Sequence, residues 1–136
     1  MNIIFVCRQN IGRSQIAQAL YEKYTSYKSA SYGTIVEIEN QPIKEVVTLP
    51  YLFPKMLALG CDISSAKRNQ LKEEYIVDAD KIIVMAEKDT WPLFLQNSKQ
   101  VEFWEIEDPI NADSHTYDLI ISQIHEKVKL LVSQKA

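Results

Sequence analysis

The chain opens on an unbroken apolar run, Ile3-Ile4-Phe5-Val6, rich in β-branched residues. A run this short, without polar alternation, predicts a strand buried on both faces. Polar residues and Gly12 interrupt the run from Cys7 to Arg13, and from Ser14 the period changes. Ile16, Leu20, Tyr24 and Tyr27 recur at helical spacing with Ala17 and Ala19 between them. They predict an amphipathic helix capped by Ser14. Strand, short loop and helix form the first half of a βαβ unit.

Residues 29–34 read as a second short strand ending at Gly33. Pro42, Pro50 and Pro54 break up the following stretch, leaving a connection that turns helical near Pro50 and stops at Gly60. Residues 62–65 read as a turn and Asn69 to Glu74 as a short helix. Lys81-Ile82-Ile83-Val84-Met85-Ala86 is the second buried-strand signal. A short helix opened by Pro92, a last strand over Val101 to Trp104 and a loop at Glu107-Asp108-Pro109 follow. From Ser114 onward, Tyr117, Ile120, Ile121, Ile124, Val128 and Leu131 trace a long amphipathic helix capped by Asp113 or Ser114. The alternation predicts an α/β protein, a three-layer α/β/α arrangement around a four-stranded parallel sheet. With no internal repeat or linker, residues 1–136 are expected to form a single domain.

Composition narrows the function classes. Fifteen basic against eighteen acidic residues give a net charge of -3. A mildly acidic chain is a poor general nucleic-acid binder, which relies on Lys and Arg to neutralise phosphates. Two cysteines, Cys7 and Cys61, are too few for a disulfide framework or a cysteine-rich metal site. His115 and His125 lack partners at ligand spacing, so no metal is expected. The N-terminus has no basic n-region and too short an apolar run for a signal peptide, and no stretch approaches a membrane span. A cytoplasmic protein with reduced thiols and no membrane partner is expected.

The chemistry concentrates in Cys7-Arg8-Gln9-Asn10-Ile11-Gly12-Arg13-Ser14. Ligands of open α/β sheets gather at the carboxyl edge, where Cys7 ends the first strand. The helix that follows offers free N–H groups and a positive dipole end, a setting that binds anions and favours a thiolate. Free cysteine is often core filler, but Arg8, Gln9 and Asn10 show that the strand has already left the core. The planar fork of Arg13 suits two oxygens of a tetrahedral oxyanion. Nucleophile, oxyanion cradle and guanidinium together fit thiolate attack on a phosphoryl or arsenyl group. Asp108-Pro109, taken alone, reads as a turn.

The Cys7 to Ser14 segment resembles the phosphate-binding loop of the low-molecular-weight protein tyrosine phosphatase superfamily, with its Cys, five residues, Arg and Ser. Ser31-Tyr32-Gly33-Thr34 resembles that family's Ser-Ala-Gly-Thr, and Gly60-Cys61-Asp62-Ile63-Ser64 its Gly-Ile-Asp-x-Ser. Arg68-Asn69-Gln70-Leu71, the strand ending at Met85, and Asp108-Pro109 before a long helix match in the same order. The resemblance implies the phosphotyrosine phosphatase I, flavodoxin-like topology. It also implies a cysteine-dependent phosphomonoester hydrolase working through a phosphocysteine, without cofactors, on a phosphorylated small molecule or phosphoprotein. Cys7 would be the nucleophile, Arg13 the holder of the phosphoryl oxygens and Asp108 the general acid and later base. Arg8, Gln9, Asn10, Ile11, Gly12 and Ser14 would form the substrate-binding loop, with Asn10 bracing its backbone and Ser14 supporting the thiolate.

The sequence departs in places from the phosphatase pattern and from that of the related reductases. Gly12 stands where many members carry a second cysteine, and Gly12-Arg13-Ser14-Gln15 is similar to the arsenate reductase branch. Residues 86–91 hold none of the relay cysteines of thioredoxin-linked reductases, so an arsenate reductase here would need an external thiol or redoxin. Cys61 is expected to serve core packing. Ile110-Asn111 and residues 36–39 supply no aromatic slot, leaving Tyr32, Tyr51, Phe53 or Trp91 as candidate walls. A non-catalytic oxyanion-binding regulator is the third reading.

Overall fold

A computed structural model describes residues 2–46 and 48–134. Four strands form one fully parallel sheet: β1 (Ile3–Cys7), β2 (Ala30–Gly33), β3 (Lys81–Val84) and β4 (Val101–Phe103). Their spatial order is β2-β1-β3-β4, so the apolar runs that open the chain and precede Met85 lie side by side at the centre. Every residue of β1 is buried. Ile3, Phe5 and Cys7 point into one core and Ile4 and Val6 into the other, the period of two that a strand imposes. Ile83 and Met85 join the first core, and Ile82 and Val84 the second.

The helices are α1 (Arg13–Tyr24), α2 (Leu52–Ala58), α3 (Glu73–Ile76), α4 (Leu93–Gln96) and α5 (Ser114–Ser133). The larger core lies under α1, α2 and α5, with Ile16, Leu20, Met56, Ile120, Ile124 and Val128 in it. The smaller core, on the opposite face, takes Leu71, Ala79 and Leu95. The layers are α/β/α. No helix among the described residues is long and apolar enough to cross a membrane.

The local details differ from the periodicity in three places and settle a fourth. Helix α1 starts at Arg13 with Gly12 at its cap, and Ser14 is buried inside the first turn rather than capping it. It ends at Tyr24, short of Tyr27, with Thr25 extended and its hydroxyl donating back to the Tyr21 carbonyl. Residues 69–71 are not helical. Gly33 N–H donates to Asn69 O at 2.9 Å and Leu71 N–H to Gly33 O at 2.8 Å, and burial of Leu71 outweighs local helix propensity. Asp113, not Ser114, caps α5, accepting from Thr116 N–H at 2.7 Å. Gly60 takes φ +82°, the left-handed residue after α2.

Candidate active site

Cys7 ends β1 at the carboxyl edge of the sheet, 2% exposed. Its Sγ lies 3.0 Å from Ser14 Oγ in the first turn of α1. Asn10 Nδ2 donates to the same oxygen at 2.8 Å and to Ser31 Oγ at 3.0 Å. The Ser14 hydroxyl therefore keeps its own proton to donate to a thiolate. Asn10 sits at φ +57°, a region Asn tolerates better than most residues. Its Oδ1 accepts from Asn69 N–H at 2.8 Å and its carbonyl from Gln15 Nε2 at 3.1 Å. One side chain thus ties the loop to α1, β2 and the segment before α3.

The loop also rests on Gly33. A Cβ there would lie 2.6 Å from the Arg8 carbonyl oxygen and 2.9 Å from Asn10 N, both backbone atoms. Only glycine admits so close an approach. Buried Arg68 holds the loop's outer side: its Nε donates to Gln9 O at 3.2 Å, Nη1 to Gln41 Oε1 at 3.0 Å, and Nη2 to Gln9 Oε1. Burial lowers the Arg68 guanidinium from its usual range, opposed by the nearby charges of Glu37 and Cys7. Arg68 thus places a second cation beside the loop.

Arg13, 2% exposed, is held from several sides. Nη1 donates to Met85 O at 2.6 Å, Ile106 O at 3.0 Å and Glu87 Oε2 at 3.1 Å. Nη2 reaches Glu87 Oε1 and Asp108 Oδ2, each at 3.4 Å. Burial would push the Glu87 carboxyl up, but hydrogen bonds from Arg13 and a backbone amide and the charges of Arg13 and Arg8 together hold it below the usual carboxylate range. The other Asp108 oxygen accepts from Ile110 N–H at 3.1 Å. Asp108-Pro109 is therefore a turn that also sets a carboxylate against the buried guanidinium.

Cys7, Gln9, Ile11, Gly12, Arg13 and Asp108 share one pocket, closed by Leu49 and Ile110. It encloses about 10 Å³, room for about one water. A Cβ on Gly12 would come within 3.0 Å of Pro109 Cγ, so the Asp108 loop lies directly on the phosphate-type loop. The apolar part of the pocket wall is aliphatic, from Ile11, Leu49 and Ile110. Tyr32 stacks on Tyr75, Trp91 packs edge-on against Phe103 and Tyr51 against Tyr117. Cys61 lines a separate cleft beside α1, and burial raises its thiol pKa.

Of the residues singled out from sequence, Cys7, Gln9, Ile11, Gly12, Arg13 and Asp108 converge on the pocket, and Asn10 and Ser14 sit behind it. Arg8 points its influence elsewhere, acting on Glu87 through charge while its carbonyl accepts from Ile35 N–H. Glu87 was absent from that set. Its position just past Met85, at the carboxyl edge of the strand beside β1, was the available signal.

The family described as low molecular weight phosphotyrosine protein phosphatase matches residues 2–135. Among solved structures, an Erwinia amylovora tyrosine phosphatase, AmsI, superposes with a TM-score of 0.82 at 20% identity, covering 98% of this chain and 91% of that one. An arsenate reductase in a phosphate-binding state gives 0.80 at 21% identity, covering 99% and 98%. A thioredoxin-dependent arsenate reductase of Corynebacterium glutamicum gives 0.71 at 27% identity, covering 98% of this chain and 60% of that one. With its parallel sheet, its cysteine loop and a family match over nearly its whole length, the chain belongs to the low molecular weight phosphotyrosine protein phosphatase family.

Proposed function

We propose that this chain hydrolyses phosphomonoesters through a phosphocysteine, with Cys7 as nucleophile, Arg13 as phosphoryl holder and Asp108 as acid and base. The observation that carries this is the convergence of Cys7, Arg13 and Asp108 on one pocket, with Ser14 Oγ 3.0 Å from the sulfur. In the first step the Cys7 thiolate attacks phosphorus. The S–P bond forms, the P–O bond breaks, and the leaving oxygen takes a proton from Asp108. Arg13 exchanges its Asp108 contact for the phosphoryl oxygens and stabilises their charge. In the second step water attacks phosphorus while the Asp108 carboxylate takes its proton. The S–P bond breaks, phosphate leaves, and the thiolate returns to the Ser14 hydroxyl. The cycle consumes one ester and one water and releases the alcohol and phosphate.

Arsenate reduction with an external thiol is the second reading. Gly12-Arg13-Ser14-Gln15 and the 27% identity to a thioredoxin-dependent arsenate reductase favour it. Cys61 lies outside the Cys7 pocket, so that route would need a thiol or redoxin from outside the chain. A pure oxyanion binder has no use for a carboxyl group on the binding arginine. One assay separates the three: aryl phosphate hydrolysis and arsenate-dependent thiol consumption, side by side, with wild type and Cys7→Ser. Metal-independent hydrolysis that vanishes in Cys7→Ser is the expected result. Thiol consumption without hydrolysis would establish the reductase instead, and anion binding without either turnover would establish the regulator.

A further inference from the structure

Among the described residues, the Tyr117 hydroxyl is the buried side-chain polar atom left without a hydrogen-bond partner. Tyr117 is fully buried in the first turn of α5, in the core cluster that contains Ile11, Leu49 and Ile106. Phenylalanine would fill the same space without the cost of an unpaired buried hydroxyl. Such an atom calls for an explanation, and its surroundings offer one.

Tyr117 is tied to the Asp108 loop. Ile110 N–H donates to Asp108 Oδ1, Ala112 N–H to Pro109 O, and Tyr117 N–H to Asp113 O. Local hydrogen bonds thus brace successive parts of the segment that leads from Asp108 into the first turn of α5. The ring meets Tyr51 edge-on at 5.7 Å, two residues beyond the pocket-wall residue Leu49. Burial and then the charge of Asp108 raise the Tyr117 pKa far above its usual range, so the hydroxyl keeps its proton. Asp108 is meanwhile engaged by Arg13 Nη2. A phosphoryl group that takes those guanidinium donors would release Asp108 Oδ2, while Oδ1 keeps the Ile110 N–H.

We propose that Tyr117 is a positioning residue for Asp108, its hydroxyl donating to the carboxyl group once Arg13 has turned to the phosphoryl oxygens. The inference rests on the hydrolase reading above. The hydrogen bond fixes one carboxyl oxygen, aims the other at the leaving oxygen in the first step, and steadies the same group as base in the second. Asp108 remains the group that transfers the proton; Tyr117 acts through it.

The test is Tyr117→Phe, measured as kcat/KM over aryl phosphates running from p-nitrophenyl phosphate to phenyl phosphate, with melting temperature recorded. A poor leaving group depends most on the acid. The expected result is a loss that deepens along the series, reaching about tenfold with phenyl phosphate, with the melting temperature unchanged or raised. Adding Tyr117→Phe to Asp108→Asn should then cost little more, because the tyrosine acts through the missing acid. An unchanged leaving-group dependence in Tyr117→Phe, or full additivity in the double variant, would overturn this inference while leaving the hydrolase reading intact. Absence of aryl phosphate hydrolysis in the wild type would overturn both.

Discussion

Replacing Glu87 with glutamine keeps the size of the side chain and removes one of the two negative charges on Arg13. The guanidinium is 2% exposed, while the Glu87 side chain is 44% and the Asp108 side chain 33% exposed. Removing one partner of a fully buried pair costs about 3–5 kcal/mol. Here the exposed side of Glu87, the carbonyls of Met85 and Ile106, and Asp108 reduce the loss to about 1 kcal/mol. That corresponds to a drop in melting temperature of about 3 °C for a chain of this size. The same charge repels an incoming oxyanion. Across roughly 6 Å at an effective dielectric of roughly 55, the repulsion is about 1 kcal/mol. Glu87→Gln should therefore bind inorganic phosphate about fivefold more tightly as a competitive inhibitor. The Glu87 carboxyl is held below its usual range, so its contribution is present above the unfolded carboxylate range and lost as pH falls through the folded value. The difference in melting temperature between wild type and variant should shrink from about pH 4.5 downward. Weaker phosphate binding with an unchanged melting temperature would refute this reasoning, showing that Glu87 acts as a scaffold rather than as a counter-charge.

Two further outcomes test the supports of the loop and of α5. Gly33→Ala should cost about 3 kcal/mol in urea denaturation and displace the Arg8 and Asn10 backbone, because the new Cβ meets a carbonyl oxygen at 2.6 Å. A loss under about 0.5 kcal/mol would contradict the close approach. Asp113→Ala should lower the melting temperature at neutral pH by removing the cap on Thr116 N–H. Hydrogen bonds from the Thr116 amide and hydroxyl hold the Asp113 carboxyl below its usual range, so this difference should fade in acid, and a constant difference down to low pH would contradict the cap.

The legible parts of the sequence were those in which local pattern and burial agree. The apolar runs of β1 and β3 are buried on both faces, and the α5 stripe from Tyr117 to Leu131 lies wholly in the core, so periodicity reports them directly. Cys7 and Arg13 share one short loop, and their meeting follows from chain length alone. Glu87 and Arg68 were not legible as parts of the site. Their partners, Arg13 and Gln9, lie far away in sequence, and only the parallel pairing of β1 with β3 and the packing of the 67–71 segment bring them together. The helix expected from residue 69 starts only at Glu73 for the same reason: pairing of residues 69–71 with the Gly33 backbone is a tertiary term that local propensity does not contain. Ser14 was misread as a helix cap because cap preference and thiol support call for the same side chain, and only the three-dimensional arrangement separates them.

The central claim is that Cys7 carries the phosphoryl group, and trapping that intermediate tests it most directly. Wild-type protein is quenched in acid during turnover of an aryl phosphate and digested, and its peptides are mapped by mass. The predicted result is one phosphoryl group on the peptide containing Cys7, formed before inorganic phosphate accumulates and chased to phosphate by water. Sustained hydrolysis with no phosphoryl group on Cys7, or equal hydrolysis by Cys7→Ser, would contradict it.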